Sequence, residues 1–313
     1  MQIDRQPMKL RPHVTQAVWG GDRLARSYGI DSQGLPNTAE AWALSAHPRG
    51  SSVAQTGPFA GQSLERLFAA RPDLFGARCA GMDQFPVIVK LIDAREDLSV
   101  QVHPRDNDPV LLPGEAGKTE CWTILEAAPG AKLYLGLREA ITPARFAAAI
   151  EDGTIMDFVQ AYPVQPGEFY FIPAGTLHAI GAGVLLAEVQ QNSDTTYRVY
   201  DYNRLQNGAP RQLHIEQARA VTDLLPWEPP SPAGGETLCV CDYFTVKQRS
   251  GSFTGQAGEE SFIHLLILEA GDNAKLTWQD MQLPIARGGS ILVPAGAGKY
   301  SADGDVRALI TTV

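Results

Sequence analysis

Residues 166–178 read PGEFYFIPAGTLH, and residues 287–299 read RGGSILVPAGAGK. Each copy has a glycine turn, a largely apolar strand of four residues and then Pro-Ala-Gly. A glycine at that point lets the chain leave a strand sharply and present the next residues at the mouth of a barrel. We therefore predict that the chain contains two copies of one small β-barrel.

The two copies differ where chemistry would be expected. His178 closes the first copy, whereas Lys299 stands at the aligned position of the second. Imidazole is the commonest metal ligand in proteins, so only the first barrel is predicted to hold a metal there. We place the boundary in the proline-rich residues 226–232. It separates a catalytic half with short helical insertions, residues 1–230, from a degenerate, metal-free half with a structural role, residues 231–313.

The rest of the chain is also predicted to be mainly β. The 313 residues include 30 glycines and 22 prolines, which favour many short strands joined by turns. Strands are predicted over residues 85–92, 99–103, 121–125, 132–135, 168–172, 184–190, 197–202, 237–246, 262–268, 274–278, 290–293 and 306–312. Short helices are predicted over residues 63–68, 142–150 and 215–224; the first two begin at Ser63 and Thr142 caps.

Charge and composition restrict the function classes. The formal net charge is −9, which argues against nucleic acid because binding a phosphate backbone needs a concentrated basic face. A small anionic substrate is not excluded, since a few Lys or Arg residues can hold one phosphate. No signal peptide or membrane span is expected, and the four cysteines show no disulfide framework. We expect a cytoplasmic monomer or homodimer that binds no membrane.

The chemistry is predicted to lie on successive strands of the first barrel. Residues 97–104 read DLSVQVHP, so Ser99, Gln101 and His103 share one strand face. Residues 117–122 read GKTECW, in which Lys118 and Glu120 likewise share a face. Two imidazoles, one carboxylate and one amide oxygen suit zinc, and would tolerate manganese, cobalt or iron(II). The predicted ligands are Gln101, His103, Glu120 and His178, of which Gln101 is the weakest because amides are poor zinc ligands.

A second polar cluster follows. Residues 188–201 read EVQQNSDTTYRVYD, in which Asp194 and Arg198 are four residues apart and share a face if the segment is extended. An arginine fork recognises an oxyanion or stabilises a developing one. We predict that Arg198 and Asp194 line a pocket. Asp194, Glu188 and Lys118, in that order, are the candidate general bases, and Ser99, Lys118 and Arg198 the candidate substrate-binding residues.

These segments resemble the type I mannose-6-phosphate isomerase (phosphomannose isomerase) family, in its short bacterial branch within the cupin superfamily. The resemblance rests on WGG (19–21), AWALSAHP (41–48), KLIDA (90–94), LSVQVHP (98–104), GKTECW (117–122), GTLHAI (175–180) and QQNSDTTYR (190–198). It covers most of residues 10–220 and fades in the last third. One departure is TAE at residues 38–40, where the family often has Thr-Gly-Glu.

The resemblance implies a duplicated cupin (double-stranded β-helix or jelly-roll) fold, one Zn²⁺ per chain, and zinc-assisted interconversion of mannose 6-phosphate and fructose 6-phosphate through an enediol. It carries the family's metal ligands onto Gln101, His103, Glu120 and His178, and its active-site arginine onto Arg198. Three alternatives stay open. They are a relaxed isomerase of unphosphorylated mannose or lyxose, an iron(II) cupin dioxygenase, and a non-catalytic sugar-binding cupin.

Overall fold

The computed structural model describes residues 3–112, 114–206, 208–230 and 234–313. Part of the predicted boundary between the halves, residues 231–233, lies outside the described residues. The division into halves at residue 230 therefore stays a prediction.

Helices are few, as the sequence indicates. The described residues form four α-helices, α1 (Arg23–Tyr28), α2 (Leu64–Ala70), α3 (Pro143–Glu151) and α4 (Ile215–Val221). Short 3₁₀ segments lie at Ile3–Arg5, Pro72–Leu74, Ala77–Cys79 and Ile155–Asp157. Ser63 and Thr142 cap α2 and α3 by accepting a backbone N–H three residues on, as predicted. The sequence analysis missed α1, which has no side-chain cap.

Two antiparallel sheets form the first barrel. The six-stranded sheet has the order β12 (Phe169–Ile172), β9 (Glu120–Ala127), β14 (Val184–Gln191), β7 (Val87–Asp93), β3 (Thr38–Leu44) and β2 (His13–Gly21). The five-stranded sheet has the order β11 (Val159–Pro163), β10 (Lys132–Leu137), β13 (His178–Ile180), β8 (Val100–Val102) and β15 (Tyr197–Tyr200). One apolar cluster, which includes Trp122, Leu135 and Ile180, takes residues from both sheets and fills part of the space between them.

Two further sheets form the second barrel. The seven-stranded sheet has the order β18 (Thr237–Val240), β19 (Thr245–Ser250), β26 (Val306–Thr312), β21 (Ile263–Ala270), β24 (Ser290–Val293), β1 (Met8–Arg11) and β6 (Val53–Ala54). The four-stranded sheet has the order β20 (Phe253–Ala257), β25 (Gly298–Asp303), β22 (Lys275–Trp278) and β23 (Met281–Pro284). Small ribbons pair β4 (Ala46–His47) with β5 (Gly50–Ser51) and β16 (Leu205–Gln206) with β17 (Ala209–Pro210).

The two barrels share a large apolar core. It joins Val89 and Val189 of the six-stranded sheet to Val246, Leu266 and residues near them on the seven-stranded sheet. The chain also crosses between the halves, because Met8 of β1 pairs with Leu292 of β24. Apolar burial of this extent is the main term that holds two sheets together.

The repeated signature forms the same local structure in both barrels, a strand followed by a glycine turn. Its Pro-Ala-Gly turn follows β12 in the first barrel and β24 in the second. The glycine of that turn adopts a positive φ in both, 91° at Gly175 and 72° at Gly296. A residue with a Cβ is strained in that backbone conformation, which explains the glycine. The predicted strand over residues 237–246 is instead a hairpin of β18 and β19, with a turn over residues 241–244.

Candidate metal centre and active-site cavity

Three neighbouring strands carry the polar side chains of the five-stranded sheet. Gln101 of β8 pairs with His178 of β13 on one side and with Arg198 of β15 on the other. Residues directly opposite each other across antiparallel strands project from the same face. Val100 and Val102 project from the other face, where they pack in a cluster with residues of α3 and α4. The predicted alternation along residues 99–103 is therefore confirmed.

His103, Glu120 and His178 form a group that could hold a metal ion. Their ligand atoms lie within 4.8 Å of one another, and each residue is at most 1% exposed. His178 Nε2 lies 3.4 Å from Glu120 Oε1, and His103 Nε2 lies 3.6 Å from Glu120 Oε2. Burial lowers the pKa of His178 to about 4 and that of His103 well below its usual value. Both imidazoles are therefore neutral near pH 7, as a metal ligand must be.

The second nitrogen of each imidazole fixes the ring orientation. His103 Nδ1 lies 2.9 Å from the carbonyl oxygen of Thr195, and His178 Nδ1 lies 2.8 Å from that of Thr176. A carbonyl oxygen can only accept, so each Nδ1 carries the proton and each Nε2 presents a lone pair toward Glu120. Metal-bound histidines usually have this arrangement.

The chemistry of the group fits a metal. Glu120 Oε1 is buried and, among the described residues, has no hydrogen-bond partner; an unsatisfied buried acceptor costs free energy, and a bound metal ion would satisfy it. Two imidazole nitrogens and a carboxylate form a donor set that is common for zinc. Gln101 lies beside this set, with its amide nitrogen 3.4 Å from His178 Nε2. Either end of an amide can be turned toward a neighbour, so its oxygen can reach the same point.

Lys118 links the group to a neighbouring cavity. Its ammonium donates a hydrogen bond to Glu120 Oε2 and lies 3.1 Å from His103 Nε2. The side chain is buried and also lines a cavity of about 300 Å³. The structure places the other predicted residues around the same cavity: Ser99, Gln101, Glu188, Asp194 and Arg198. His103, Glu120 and His178 are not among the lining residues, but Gln101 and Lys118, which are, contact them.

The opposite wall of the cavity comes from the six-stranded sheet. Trp122, Glu188, Lys90 and Trp42 lie opposite one another on four neighbouring strands. Trp122 Nε1 donates to Glu188 Oε2 at 2.8 Å, and Lys90 Nζ lies 3.4 Å from Glu188 Oε1. Lys90 Nζ also lies 3.6 Å from Glu40 Oε2 and 4.9 Å from the centre of the Trp42 ring.

Lys90 and the carboxylates near it stabilise each other's charged forms. Burial lowers the pKa of Lys90, but the attraction of Glu40 and Glu188 outweighs it, so the pKa is raised. Burial likewise raises the pKa of Glu188, but Lys118 and Lys90 outweigh it and the pKa is lowered. The sequence analysis missed Lys90. A lysine inside the apolar run VIVKLI, residues 87–92, was the available signal, because a lysine is almost never fully buried without a partner.

We expect Lys90→Met to lower the free energy of unfolding by about 3–5 kcal/mol, because methionine keeps much of the packing on Trp42 but leaves Glu188 and Glu40 without their cation. Urea unfolding followed by tryptophan fluorescence measures the change. The matched control is Lys132→Met, at an exposed lysine over the ring of Tyr134, which is expected to change stability by less than about 0.5 kcal/mol. Equal midpoints for the two variants would contradict this account.

An arginine cluster lies on the Ser99 side of strand β8 and lines the cavity. Ser99 precedes His103 by four residues, roughly 13 Å along an extended chain. Arg198 Nε donates to Ser99 Oγ at 3.2 Å, so the guanidinium points along β8 away from His103. Its strand is anchored by His214, whose Nδ1 accepts the Arg198 backbone N–H at 3.1 Å. The sequence analysis did not single out His214.

Two more arginines join Arg198 on this side. Arg211 Nε and Arg204 Nη2 bind opposite oxygens of Asp201, at 2.6 and 2.5 Å. Burial lowers the pKa of Arg198, and the nearby cations Arg211 and Arg204 lower it further. Three guanidinium groups around one carboxylate leave a net positive charge on this side, and Arg198 and Arg211 both line the cavity. The sequence analysis missed Arg204 and Arg211, which follow the recognised motif.

Asp194 lies at the rim. One of its carboxylate oxygens is 2.9 Å from Arg49 Nη1, and the other is 3.7 Å from His47 Nε2. It shares the cavity with Arg198, as the spacing predicts, but its ion-pair partner among the described residues is Arg49.

The fold and the site define the class: a duplicated cupin whose first barrel has a buried group that could bind a metal and a polar cavity beside it. Residues 8–121 match the family model of the phosphomannose isomerase type I catalytic domain. A probable mannose-6-phosphate isomerase from Bacillus subtilis (strain 168) is 37% identical over 97% of this chain and 98% of its own. A mannose-6-phosphate isomerase from Streptococcus mutans is 36% identical over 96% of each chain. The chain belongs to the type I phosphomannose isomerase family.

The fold comparison agrees. The crystal structure of mannose 6-phosphate isomerase from Bacillus subtilis superposes with a TM-score of 0.88 at 32% identity, and covers 98% of this chain and 99% of that one. The predicted duplicated cupin is thereby confirmed. All four cysteines are free, and none of the described helices has the length and apolar character that crossing a bilayer requires.

Proposed function

We propose that the protein catalyses the reversible aldose–ketose isomerisation of mannose 6-phosphate and fructose 6-phosphate. The observation that carries the proposal is one cavity lined by Arg198 and Arg211 and also by Gln101 and Lys118, which contact the buried two-histidine, one-glutamate group. Such a cavity suits a sugar whose reacting carbons and phosphate lie at opposite ends. The relatives named as mannose-6-phosphate isomerases support the same substrate.

We propose that one Zn²⁺ per chain is held by His103, Glu120 and His178, with Gln101 as the fourth ligand. The neutral imidazoles and the unpartnered Glu120 oxygen support this assignment. Bound there, zinc would polarise the sugar carbonyl oxygen as a Lewis acid.

The chain's own residues bind and orient the sugar. Arg198 and Arg211 receive the phosphate through charge-assisted hydrogen bonds, and Ser99 and Asp201 hold their guanidinium groups in place. Lys118, which is buried beside the histidines and borders the cavity, donates to a sugar oxygen near the reacting carbons. Trp122 packs edge-on to His178, with ring centres 5.4 Å apart, and keeps water from that side.

Glu188 is proposed as the group that moves the proton between C1 and C2. Its carboxylate is buried, is ionised because Lys118 and Lys90 lower its pKa, and lines the cavity next to Trp122. A positioned carboxylate can accept the proton from one carbon and return it to the other. Asp194 is the weaker candidate, because Arg49 holds it at the rim.

We expect Glu188→Gln to lower kcat by about 10²–10⁴-fold, because the amide accepts the Trp122 N–H but cannot take up a proton. Asp194→Asn is the matched control and is expected to lower kcat less than tenfold. Deuterium incorporation from solvent into the sugar, measured by NMR, follows the proton step itself. A larger loss of exchange in the Asp194 variant would transfer the role to Asp194.

Metal analysis combined with turnover assays tests the function. Metal-replete protein is expected to contain one zinc per chain, to interconvert the two sugar phosphates, to lose activity on chelation and to regain it with zinc. Mannose and lyxose are expected to react far more slowly than mannose 6-phosphate. Similar rates on free sugars would indicate a relaxed isomerase, iron with oxygen uptake a dioxygenase, and no turnover in metal-replete protein a sugar-binding cupin.

We further propose that the protein works in the cytoplasm, as a monomer or homodimer. The free cysteines support a reducing compartment. Light scattering coupled to size-exclusion chromatography measures the mass directly.

A further inference from the structure

A single hydroxyl joins the second barrel to the segment that carries Lys118. Tyr243 lies in the turn over residues 241–244, between β18 and β19 of the seven-stranded sheet. Its hydroxyl donates a hydrogen bond to Asp106 Oδ2 at 2.7 Å, although the two residues are 137 positions apart in the chain. Burial and the bond to Asp106 raise the pKa of Tyr243 to about 12, so the phenol keeps its proton. No step proposed above for the isomerase reaction uses this tyrosine.

Asp106 also binds the segment that leads into β9. Its Oδ1 accepts the backbone N–H of Gly117 at 2.8 Å and the side-chain amide of Gln191 at 3.0 Å. The Oε1 atom of Gln191 in turn accepts the backbone N–H of Thr119 at 2.8 Å. One carboxylate therefore fixes the backbone on both sides of Lys118, directly at residue 117 and through Gln191 at residue 119.

The remaining backbone groups of this segment are bonded as well. The Lys118 N–H donates to the Pro104 carbonyl at 3.0 Å, and the Thr119 carbonyl accepts the Gln191 N–H at 3.1 Å. Each backbone N–H of residues 117–119 thus has an acceptor, and two of these three bonds are made to Asp106 or Gln191. The Lys118 side chain leaves from the middle of this segment.

The role proposed for Lys118 depends on a fixed position. Its ammonium lies 3.1 Å from His103 Nε2, donates to Glu120 Oε2 and borders the cavity. A lysine side chain has much rotational freedom to lose when it is held in one place. A displacement of about 1 Å in a reacting group can lower a rate by about 100-fold. A backbone that is fixed around Lys118 therefore favours turnover.

We propose that Tyr243 of the second barrel is a positioning residue for the isomerase reaction. Through Asp106 and Gln191 it fixes the backbone of residues 117–119. The Lys118 ammonium is thereby held near the reacting carbons of the sugar. This inference rests on the proposed function, and it gives the second barrel a part in the reaction that needs no metal or ligand of its own.

Steady-state kinetics of Tyr243→Phe test the proposal. We expect kcat to fall about three- to tenfold, because phenylalanine keeps the packing but removes the hydrogen bond to Asp106. The KM for mannose 6-phosphate should change by less than about twofold, because the phosphate contacts of Arg198 are left intact. Tyr28→Phe is the matched control, since it removes a buried hydroxyl that accepts from Arg287 Nη2 at 2.9 Å outside the cavity. It should leave both constants unchanged.

A double-mutant cycle with Lys118→Met separates positioning from a general loosening of the fold. If Tyr243 acts through Lys118, Tyr243→Phe lowers kcat in the wild-type background but changes it by less than about 1.5-fold in the Lys118→Met background. An equal factor in both backgrounds would contradict action through Lys118.

Amide hydrogen exchange, followed by NMR on the zinc-loaded full-length protein without substrate, supplies a readout that is independent of turnover. We expect Tyr243→Phe to speed exchange at the Gly117 and Thr119 amides about fivefold or more, and Tyr28→Phe to leave it unchanged. Unchanged exchange at both amides would overturn the proposal, and so would faster exchange with wild-type kcat. If wild-type protein turns over no sugar phosphate but both amides respond to Tyr243→Phe, the proposed function fails, whereas the link from Tyr243 to residues 117–119 stands.

Discussion

Replacement of His178 by asparagine is expected to remove the bound metal and to lower kcat/KM for mannose 6-phosphate by about 10³-fold or more, which corresponds to roughly 4 kcal/mol of transition-state stabilisation. His178 is buried, its Nδ1 is held by the Thr176 carbonyl, and its Nε2 faces Glu120. Asparagine is too short to bring a donor atom to the same point. Metal content by mass spectrometry and steady-state kinetics measure the two losses.

His264→Asn is the control for this variant. His264 is a fully buried histidine of the second half, with Nε2 2.8 Å from Ser290 Oγ. Its replacement should lower stability and leave zinc content and kcat unchanged, because it lies outside the metal group. A His178→Asn protein with full zinc content and wild-type turnover would show that the metal site has been misassigned.

Arg198→Ala is expected to lower kcat/KM for mannose 6-phosphate by about 10²-fold, since it removes a charge-assisted contact from a partly buried anion site. Arg198→Lys should recover part of the loss because it keeps the charge but not the fork. Mannose, which has no phosphate, should be converted at the same low rate by wild type and Arg198→Ala. Steady-state kinetics with both sugars measure this contrast.

The substrate comparison separates two roles of Arg198. A loss confined to mannose 6-phosphate assigns it to the phosphate, and an equal loss on mannose assigns it to charge that develops at the carbonyl oxygen. Arg145→Ala, on α3 and over the ring of Phe158, is the control and should leave kinetics unchanged. A folded Arg198→Ala protein with intact turnover on mannose 6-phosphate would contradict both roles.

Much of the metal group could be predicted from sequence because strand geometry is local. In an extended chain every second side chain lies on the same face. The sequence of residues 99–103 therefore predicted which side chains share the inner face without knowledge of the neighbouring strands. The same rule placed Lys118 beside Glu120. The repeated Pro-Ala-Gly turn predicted that His178 lies at a barrel mouth. The second copy has Lys299 in place of this histidine, which predicted that only the first barrel binds a metal.

Other parts of the site depend on contacts between distant segments. Lys90 is stable in the barrel because Glu40 and Glu188 lie on neighbouring strands, 50 and 98 positions away in the chain. Arg211 lines the cavity because Asp201 holds it. Neither pairing has a periodic pattern along the sequence, so periodicity arguments could not find them.

The sequence by itself therefore determined the fold class, the duplicated barrel signature and the set of side chains that could bind a metal, because backbone alternation and turn geometry are local properties. The tertiary structure alone decided that strand β1 joins the sheet of the second barrel and that Arg198 and Arg211 line the same cavity as Lys118. These depend on how sheets pack against each other. That packing is governed by apolar burial summed over the whole chain, which no short segment encodes.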